Sequence, residues 1–358
     1  MLLELTITLA KVLFIVGITV GFFAPVLTWV ERKQSAIMQD RVGANRADIL
    51  GFTALGLFHA IADAIKMFAK EDFIPQGANR FLHTLAPIIA VIPAILTFAV
   101  VPFGGQYELW GTTVNLVISD LDVGLLFVFA IASIATYGYV IAGWASNSNW
   151  SLLGSMRTAS QMISYEVTMG LTIVGVLMVF GTMKLTEIGA AQEEFLNWGF
   201  FLQPVGFFMF LAASIAENKR IPFDAPEAES ELVAGYFTEY SGLKFGMFFM
   251  AEFIEMVTIG AIVTILFFGA WHIPFLPAAT LLSWFDFLGT NWANLLLMLI
   301  HIGVFFAKVI FFIWFQMTIR WTLPRFRYDQ IMKLGWKILL PLSLANILIT
   351  GLVILAVN

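Results

Sequence analysis

Residues 291–320 read NWANLLLMLIHIGVFFAKVIFFIWFQMTIR, and Lys308 is the one charged residue before the final arginine. A helix needs about 20 consecutive, mostly apolar residues to cross the hydrocarbon core of a bilayer. This stretch exceeds that length, and several other apolar stretches of the chain do so as well. The sequence therefore predicts an integral membrane protein whose fold is a set of spanning helices.

The composition of the whole chain agrees with this prediction. Of the 358 residues, 60% are hydrophobic and 12% are charged, whereas soluble domains are about 45–50% apolar and about 25% charged. The absence of Cys excludes disulfides, cysteine-ligated iron–sulfur clusters and Cys zinc sites. The four His residues have no metal-ligand spacing and no glycine-rich nucleotide motif is present, so we predict no metal or nucleotide site.

We predict an all-α membrane protein with eight transmembrane helices. No internal repeat is detectable, and residues 1–358 are expected to form a single membrane domain. The predicted spans are residues 3–30, 85–103, 123–145, 157–180, 200–217, 241–271, 291–320 and 335–356. The first of them is too long for a signal peptide and lacks a basic flank, so we expect it to be retained.

Basic residues are concentrated in the connections that follow spans one, three, five and seven. Lys11 and Lys184 fall toward the other side, and Lys308 lies inside a span. The positive-inside rule therefore predicts that these connections face the cytoplasm or matrix and that both termini lie outside. The basic residues on the inner side are Arg32, Lys33, Arg41, Arg46, Lys66, Lys70, Arg80, Arg157, Lys219, Arg220, Lys244, Arg320, Arg325, Arg327, Lys333 and Lys337.

The long first inner connection contains GFTALGLFHAIADAIKMFAK, residues 51–70, with apolar residues at helical spacing. Asp63, Lys66 and Lys70 would be costly in a spanning helix. An amphipathic helix that lies in the membrane interface accounts for both facts.

Four charged residues interrupt the predicted spans. Counted from basic helix ends at 1.5 Å per residue, Glu166 and Lys308 lie about 14 and 18 Å deep, and Glu252 and Glu255 share one face of span six. One interpretation is a structural ion pair of Glu166 or Glu252 with Lys308 that locks the bundle. The other is a polar path for protons or ions, which we favour because ionisable residues inside membranes are usually functional.

Acidic residues are also concentrated between spans five and six, in AENKRIPFDAPEAESELVAGYFTEYSG, residues 216–242. Pro222 and Pro226 prevent a continuous helix, and we expect a helix to begin after Pro226. Glu227 and Glu231 would then lie one turn apart, where repulsion and burial raise carboxylate pKa values. Apolar residues between the acids argue against a solvated loop, so the segment predicts an acidic funnel that opens on the inner side.

At this point the sequence resembles a known family. The segment 222–235, PFDAPEAESELVAG, is similar to the signature of the membrane-embedded H subunit of the bacterial NADH–quinone oxidoreductases, the counterpart of mitochondrial subunit 1 of respiratory complex I. The resemblance extends over essentially the whole chain. Further matching segments, in order, are ERKQSAIMQDRVGANR (31–46), GLFHAIADAIKMFAKE (56–71), GWASNSNWSLLGSMRTASQMISYE (143–166) and PRFRYDQIMKLGWK (324–337).

The resemblance implies a role for individual residues in quinone reduction coupled to proton translocation. Residues implied to line or border the quinone channel are Arg32, Asp63, Phe223, Asp224 and Phe249. Residues implied to form the acidic funnel are Glu217, Arg220, Glu227, Glu229 and Glu231, continued at mid-membrane by Arg157, Tyr165, Glu166, Glu252 and Lys308. Packing for Phe249 and a helix-end anchor for Arg157 are the structural alternatives.

The family also implies partners and cofactors. Quinone is the substrate, and FMN and iron–sulfur clusters belong to partner subunits, so this chain is expected to bind no redox cofactor. The expected partners are other membrane and peripheral subunits of complex I and membrane lipid, and no nucleic acid. The expected location is a bacterial inner membrane or a mitochondrial inner membrane.

The chain departs from the family pattern at His59, where the family usually has Gln, and at Ala44, where it usually has Pro. Two alternatives are the anchor subunit of a related hydrogenase or dehydrogenase, and a stand-alone ion transporter.

Overall fold

The computed structural model describes residues 2–227 and 229–357, without the side chains of Leu2, Leu3, Glu229 and Ser230. The described residues are almost all helical or in short connections. The α-helices are α1 Leu2–Val16, α2 Ala24–Met38, α3 Phe58–Ala69, α4 Arg80–Leu96, α5 Gly124–Ala145, α6 Asn149–Phe180, α7 Leu185–Ala191, α8 Gly199–Leu202, α9 Pro204–Glu217, α10 Glu229–Leu232, α11 Gly242–Phe267, α12 Ala278–Phe285, α13 Thr290–Thr322, α14 Tyr328–Lys333 and α15 Leu340–Val357.

Seven of the helices in the described residues are long and apolar enough to cross a membrane, which confirms a multi-pass membrane protein. They are Glu4–Met38, Arg80–Ala99, Gly124–Ala145, Asn149–Phe180, Gly242–Phe267, Thr290–Thr322 and Tyr328–Val357. The predicted fifth span is shorter than expected. It divides at Gln203 into α8 and α9, since Pro204 has no N–H and starts a new helix of 14 residues.

The first span is longer than predicted. It runs from α1 through a π-helical stretch, Gly17–Phe23, into α2, and continues to Met38 rather than ending near residue 30. The additional turns place Glu31 and Arg32 on a helix at one end of the bundle. We call this end, where α2, α5, α9 and α13 finish and α6 and α11 begin, the basic end.

The amphipathic helix is present but begins later than predicted. It is α3, and it follows a turn in which Leu55 and Gly56 have positive φ. Gly56 is required there because a Cβ would lie 1.9 Å from the Ala44 carbonyl oxygen. The apolar face of α3 is exposed in the isolated chain through Ile61, Ile65 and Phe68, as a helix at a membrane interface requires.

One β-hairpin was not predicted. Strands β1 Gln106–Leu109 and β2 Thr112–Asn115 pair antiparallel. Trp110 and Gly111 form their two-residue turn, and both have positive φ, the geometry that hairpin turns favour. The hairpin packs on the start of α13, where Trp110 meets Trp292 edge-on. The all-α prediction therefore holds except for this hairpin.

Close helix contacts at small residues position the site. Gly138 of α5 lies against α4, so that a Cβ there would meet the Ala90 nitrogen at 2.8 Å. Gly154 of α6 lies equally close to Gly235 in the connection between α9 and α11, 2.6 Å from its Cα if a Cβ were added. Small residues permit such backbone approach in membrane bundles. The contact at Gly154 fixes the acidic connection against α6.

Candidate functional site

The connection between α9 and α11, residues 218–241, is here called the acidic segment, and most of it is buried. Phe223, Asp224, Leu232 and Tyr236 are each less than one tenth exposed. The predicted helix is present only as the four-residue α10, which starts after Glu227. The predicted pairing of Glu227 and Glu231 on one helix is therefore wrong, and the two residues have different surroundings.

Glu31 joins two arginines at the basic end. Its carboxylate oxygens lie 2.5 Å from Arg320 and 3.2 Å from Arg220, and Arg220 is 7% exposed. The Arg220 guanidinium also lies 3.9 Å from Glu252 and over the Phe253 ring. A buried charge needs such partners, because a lone one costs several kcal/mol.

Glu252, on α11, connects Glu31 and its arginine partners to the acidic segment. The Tyr236 hydroxyl donates a hydrogen bond of 2.9 Å to its Oε1. Glu227 faces the same carboxylate, and burial together with the Glu252 charge raises the pKa of Glu227 well above its ordinary value. We call Glu31, Arg220, Glu227, Glu252 and Arg320 the carboxylate network. It holds adjacent carboxyl groups that are able to exchange a proton.

Asp224 is held by the connection that follows α13. The Arg325 guanidinium lies 2.6 Å from its Oδ2, and the backbone N–H of Phe326 donates to the Pro222 carbonyl at 2.9 Å. Phe223 packs between the rings of Tyr165 and Phe326. Burial raises the pKa of Asp224 to about 6, against the opposing effect of Arg325.

Further along the bundle lies a second group of carboxylates. Glu166 on α6 accepts a hydrogen bond from the Ser133 hydroxyl. Glu217 at the end of α9 and Glu255 on α11 line a cavity of about 70 Å³, and the charges of Glu166 and Glu255 act on Glu217. Glu166, Glu217 and Glu255 therefore lie near one another, and Glu252 lies one helical turn from Glu255 on α11.

Arg157 and Glu231 form an ion pair of 2.7 Å at the surface, and the Glu231 side chain is 55% exposed. The ring of Tyr328 lies 5.7 Å from Arg157. The Glu229 side chain, predicted as a funnel residue, lies outside the described residues. Glu231 therefore occupies an exposed position, whereas Glu227 is inside.

The predicted quinone-channel residues form two groups. Arg32 on α2 and Asp63 on α3 make an ion pair of 2.6 Å, and Phe223 and Asp224 lie together in the acidic segment. Phe249 stacks between Phe245 and Phe253 on one face of α11, so packing accounts for its contacts. His59 accepts from the backbone N–H groups of residues 46 and 47, both at 3.2 Å.

Two predicted path residues are placed apart from the carboxylates. Lys308 donates to the backbone carbonyls of Phe268, Ala270 and His272 at 2.6–3.1 Å, beyond the end of α11. The predicted ion pair of Lys308 with Glu166 or Glu252 is therefore wrong. Tyr165 donates to the carbonyl of Ile331 at 2.8 Å, which ties α6 to α14.

Residues that sequence reasoning did not assign to the site include several of its charge partners. They are Glu31, Lys219, Arg320 and Arg325. The basic ones were counted only for orientation, although each lies near a span end or the acidic segment. These residues are far from their acidic partners in the sequence, so only the packing of the helices brings them together. Within the described residues, no cluster of three or more His, Asp or Glu could hold a metal ion.

These features define a multi-pass helical membrane protein with ionisable groups inside its bundle. A model of the family described as NADH dehydrogenase matches residues 10–351. The chain is 47% identical to the H subunit of NADH-quinone oxidoreductase from Flavobacterium johnsoniae, over 92% of this chain and 89% of that one. It is 47% identical to the H subunit numbered 1 of Geobacter metallireducens, over 99% and 98%, and 44% identical to the H subunit numbered 2 of Rhizobium meliloti, over 98% and 99%.

The chain belongs to the NADH dehydrogenase family, in the group formed by the H subunits of NADH–quinone oxidoreductase, which are membrane subunits of complex I.

Proposed function

We propose that the chain helps to form the quinone chamber of a proton-pumping complex I and couples quinone reduction to proton translocation through its acidic segment. As a member of this family, the chain is a subunit of NADH–quinone oxidoreductase, a translocase. The observation that supports the coupling role most is the succession of buried carboxylates from Asp224 through Glu227 and Glu252 toward Glu217.

The quinone head group would be received between α2, α3 and the acidic segment. Arg32 and Asp63 would border one side of the channel, and Phe223, Asp224 and Phe249 the other. The ion pair of Arg32 with Asp63 and that of Asp224 with Arg325 support this assignment, because they fix charged groups on the elements that would border the channel. Polar groups of this kind orient a ligand in an apolar pocket.

The proton path would be entered from the surface beside the exposed pair of Glu231 and Arg157, where water can deliver protons directly, and its first required carboxylate would be Glu227. From there it would pass Arg220 and Glu252 to Glu217 and Glu166. Contact between Glu227 and Glu252, and the mutual influence of Glu217 and Glu166, support this order. Glu229 and Tyr165 remain predicted members of the path, whereas the three backbone carbonyls that bind Lys308 support a structural role for that residue.

Reduction of the quinone would act on the groups of this path electrostatically. Reduction by two electrons places negative charge on the quinone oxygens, which then take up two protons. In a low-dielectric chamber such charge acts strongly on nearby carboxylates and arginines. Reduced quinone beside Asp224 would favour protonation of that carboxyl and its release from Arg325. The changed charge at Asp224 would then alter the protonation of Glu227 and Glu252. Through these two residues it would act on the neighbouring membrane subunits of the complex.

The electron carriers would belong to the partner subunits. FMN and iron–sulfur clusters in the peripheral subunits would deliver electrons to the quinone, and this chain would supply binding, orientation and electrostatics. The basic end would face the cytoplasm or matrix with both termini outside, and the chain would act as a single membrane domain. This arrangement places the chamber next to the peripheral subunits.

The test is quinone-dependent NADH oxidation with proton pumping in inverted membrane vesicles that carry Glu252→Gln. We expect an assembled complex that oxidises NADH with a soluble artificial acceptor at the normal rate but pumps at least tenfold fewer protons. The artificial acceptor serves as the control for the peripheral subunits. Normal pumping by this variant would contradict the proposed function.

A further inference from the structure

Lys219 is a buried lysine at the centre of the acidic region. It follows the end of α9, has a positive φ of 56° and is 1% exposed. A non-glycine residue in the left-handed region costs about 1 kcal/mol or more. Here that conformation turns the side chain back into the bundle instead of out toward solvent.

Lys219 and Tyr139 each contact one oxygen of the Glu255 carboxylate. The Lys219 ammonium lies 3.5 Å from Glu255 Oε2, and the Tyr139 hydroxyl donates to Glu255 Oε1 at 3.1 Å. The ammonium also lies 3.5 Å from the centre of the Tyr139 ring, a position in which an aromatic ring stabilises a cation. Tyr139 therefore binds both members of the pair.

Glu217 lies next to this pair but has a different environment. No hydrogen bond or ion pair reaches its carboxylate from the described residues. Glu217 lines the same cavity of about 70 Å³ as Glu255 and Asn218. Asn218 is 2% exposed and its Oδ1 is buried without a hydrogen-bond partner among the described groups. A cavity of that volume has room for water, and the polar groups in its mostly apolar lining, Glu217, Asn218 and Glu255 among them, would give the water hydrogen-bond partners.

We propose that the Lys219–Glu255 pair is a fixed internal charge pair that favours the ionised form of Glu255 and thereby leaves Glu217, across the shared cavity, as the group that takes up and releases the proton. Lys219 and Glu255 are positioning residues in this account. The inference rests on the proposed function, because it assigns which carboxylate of the path carries the proton.

The charged and titratable groups that face the pair come from every neighbouring element. They are Tyr139 of α5, Glu166 of α6, Glu217 of α9, Glu252 of α11, and Glu227 and Tyr236 of the acidic segment. All of these facing groups are acids. Removal of the Lys219 charge would therefore be felt by Glu255 first, as its direct partner.

The experiment is a double-mutant cycle in the complete complex, with Lys219→Gln, Glu255→Gln and the double variant. In inverted vesicles we measure proton pumping, quinone reduction and its pH profile. Lys219→Gln should lower pumping about tenfold, because it leaves Glu255 buried without its cation. It should also shift the acid limb of the profile by about one pH unit toward alkaline pH. The double variant should recover to within about threefold of the unaltered enzyme, since both charges are removed together.

Two controls separate a positioning role from a structural one. Lys219→Arg should retain most of the pumping and the pH profile, and Lys70→Gln should have no effect because Lys70 is exposed. If Lys219→Gln pumps normally, if the double variant is no better than the single ones, or if assembly falls while the pH profile is unchanged, the inference is overturned. Failure of the proposed function differs, since Glu252→Gln would then also pump normally.

Discussion

Buried charged side chains have different kinds of partner at the two ends of the bundle. At the basic end, Arg220 is bound by the carboxylates of Glu31 and Glu252, so charged side chains bind one another across α2, α11 and the acidic segment. Beyond the far end of α11, the Lys308 ammonium is bound by three backbone carbonyls. A carboxylate can accept a proton and change its charge, whereas a backbone carbonyl keeps its charge under the same conditions.

The difference indicates which buried charges can take part in coupling. Lys308, in the middle of α13, donates to carbonyls of the connection that follows α11, and buried carbonyls need such hydrogen-bond donors. His272, whose carbonyl is one of the three, has its pKa lowered to about 4 by burial and by Lys308, so its ring stays neutral near pH 7. The carboxylate network, in contrast, holds groups that are close enough to share protons.

Arg220→Met should produce the largest effect. The substitution leaves Glu31 and Glu252 buried without their shared cation, at a cost of about 3–5 kcal/mol. We expect little assembled complex on native gels and almost no quinone reductase activity. Arg327→Met is the matched control, because Arg327 is 80% exposed in its pair with Asp329 and such pairs contribute about 0–1 kcal/mol. A fully assembled and active Arg220→Met complex would remove the basis for the network.

Lys308→Met should have the next largest effect, of a different kind. Hydrogen bonds that involve a charged group contribute about 1.5–3 kcal/mol, so the complex should inactivate at a lower temperature. The Lys308→Met complex that does assemble should pump a normal number of protons per electron transferred. Glu252→Gln, in contrast, should lower that ratio. A Lys308→Met complex of normal thermal stability that fails to pump would instead place Lys308 on the proton path.

Asp224→Asn should have a smaller effect that depends on pH. The pKa of Asp224 is raised to about 6 by burial, above its ordinary value of about 3.9. The folded protein therefore binds more protons than the unfolded chain between these values, and the contribution of Asp224 to stability falls as pH rises through that window. Thermal inactivation at pH 4.5 and pH 7 should differ less in Asp224→Asn than in the unaltered complex. An unchanged difference, equal to that of the exposed Asp329→Asn control, would contradict this.

Much of the fold could be predicted from the sequence, because apolar length and basic residues follow simple rules in a membrane. Spans such as residues 291–320 correspond to long helices in the structure. The break at Pro204 was missed because residues 200–217 are mostly apolar, and mean hydropathy over such a stretch does not show where one helix ends and the next begins. The β-hairpin was missed because Trp110-Gly111 lies in a short connection, where its turn conformation is stabilised by contacts with α13.

The site was predictable in part. The acids of residues 222–235 and the apolar residues between them predicted a buried acidic segment, and Phe223 and Asp224 are buried there. A role of Glu166, Glu217 and Glu252 in a proton path stays a prediction. The partners of these charges could not be predicted, since Glu31, Lys219 and Arg325 are joined to the acids only by tertiary packing. The depth of Lys308 along its helix suggested a carboxylate partner, and this interpretation was wrong. Its partners are backbone carbonyls, which cannot be recognised from a sequence.

The measurement that tests the central claim most directly compares Glu227→Gln with Glu231→Gln. Both substitutions remove one acid from the same segment, but Glu227 lies inside the carboxylate network and Glu231 is an exposed partner of Arg157. Protons pumped per electron should fall at least tenfold in Glu227→Gln and remain within about twofold of normal in Glu231→Gln, since exposed ion pairs contribute little. Equal ratios in the two variants would contradict the claim that burial of the carboxylates, and not acidity of the segment alone, couples quinone reduction to proton movement.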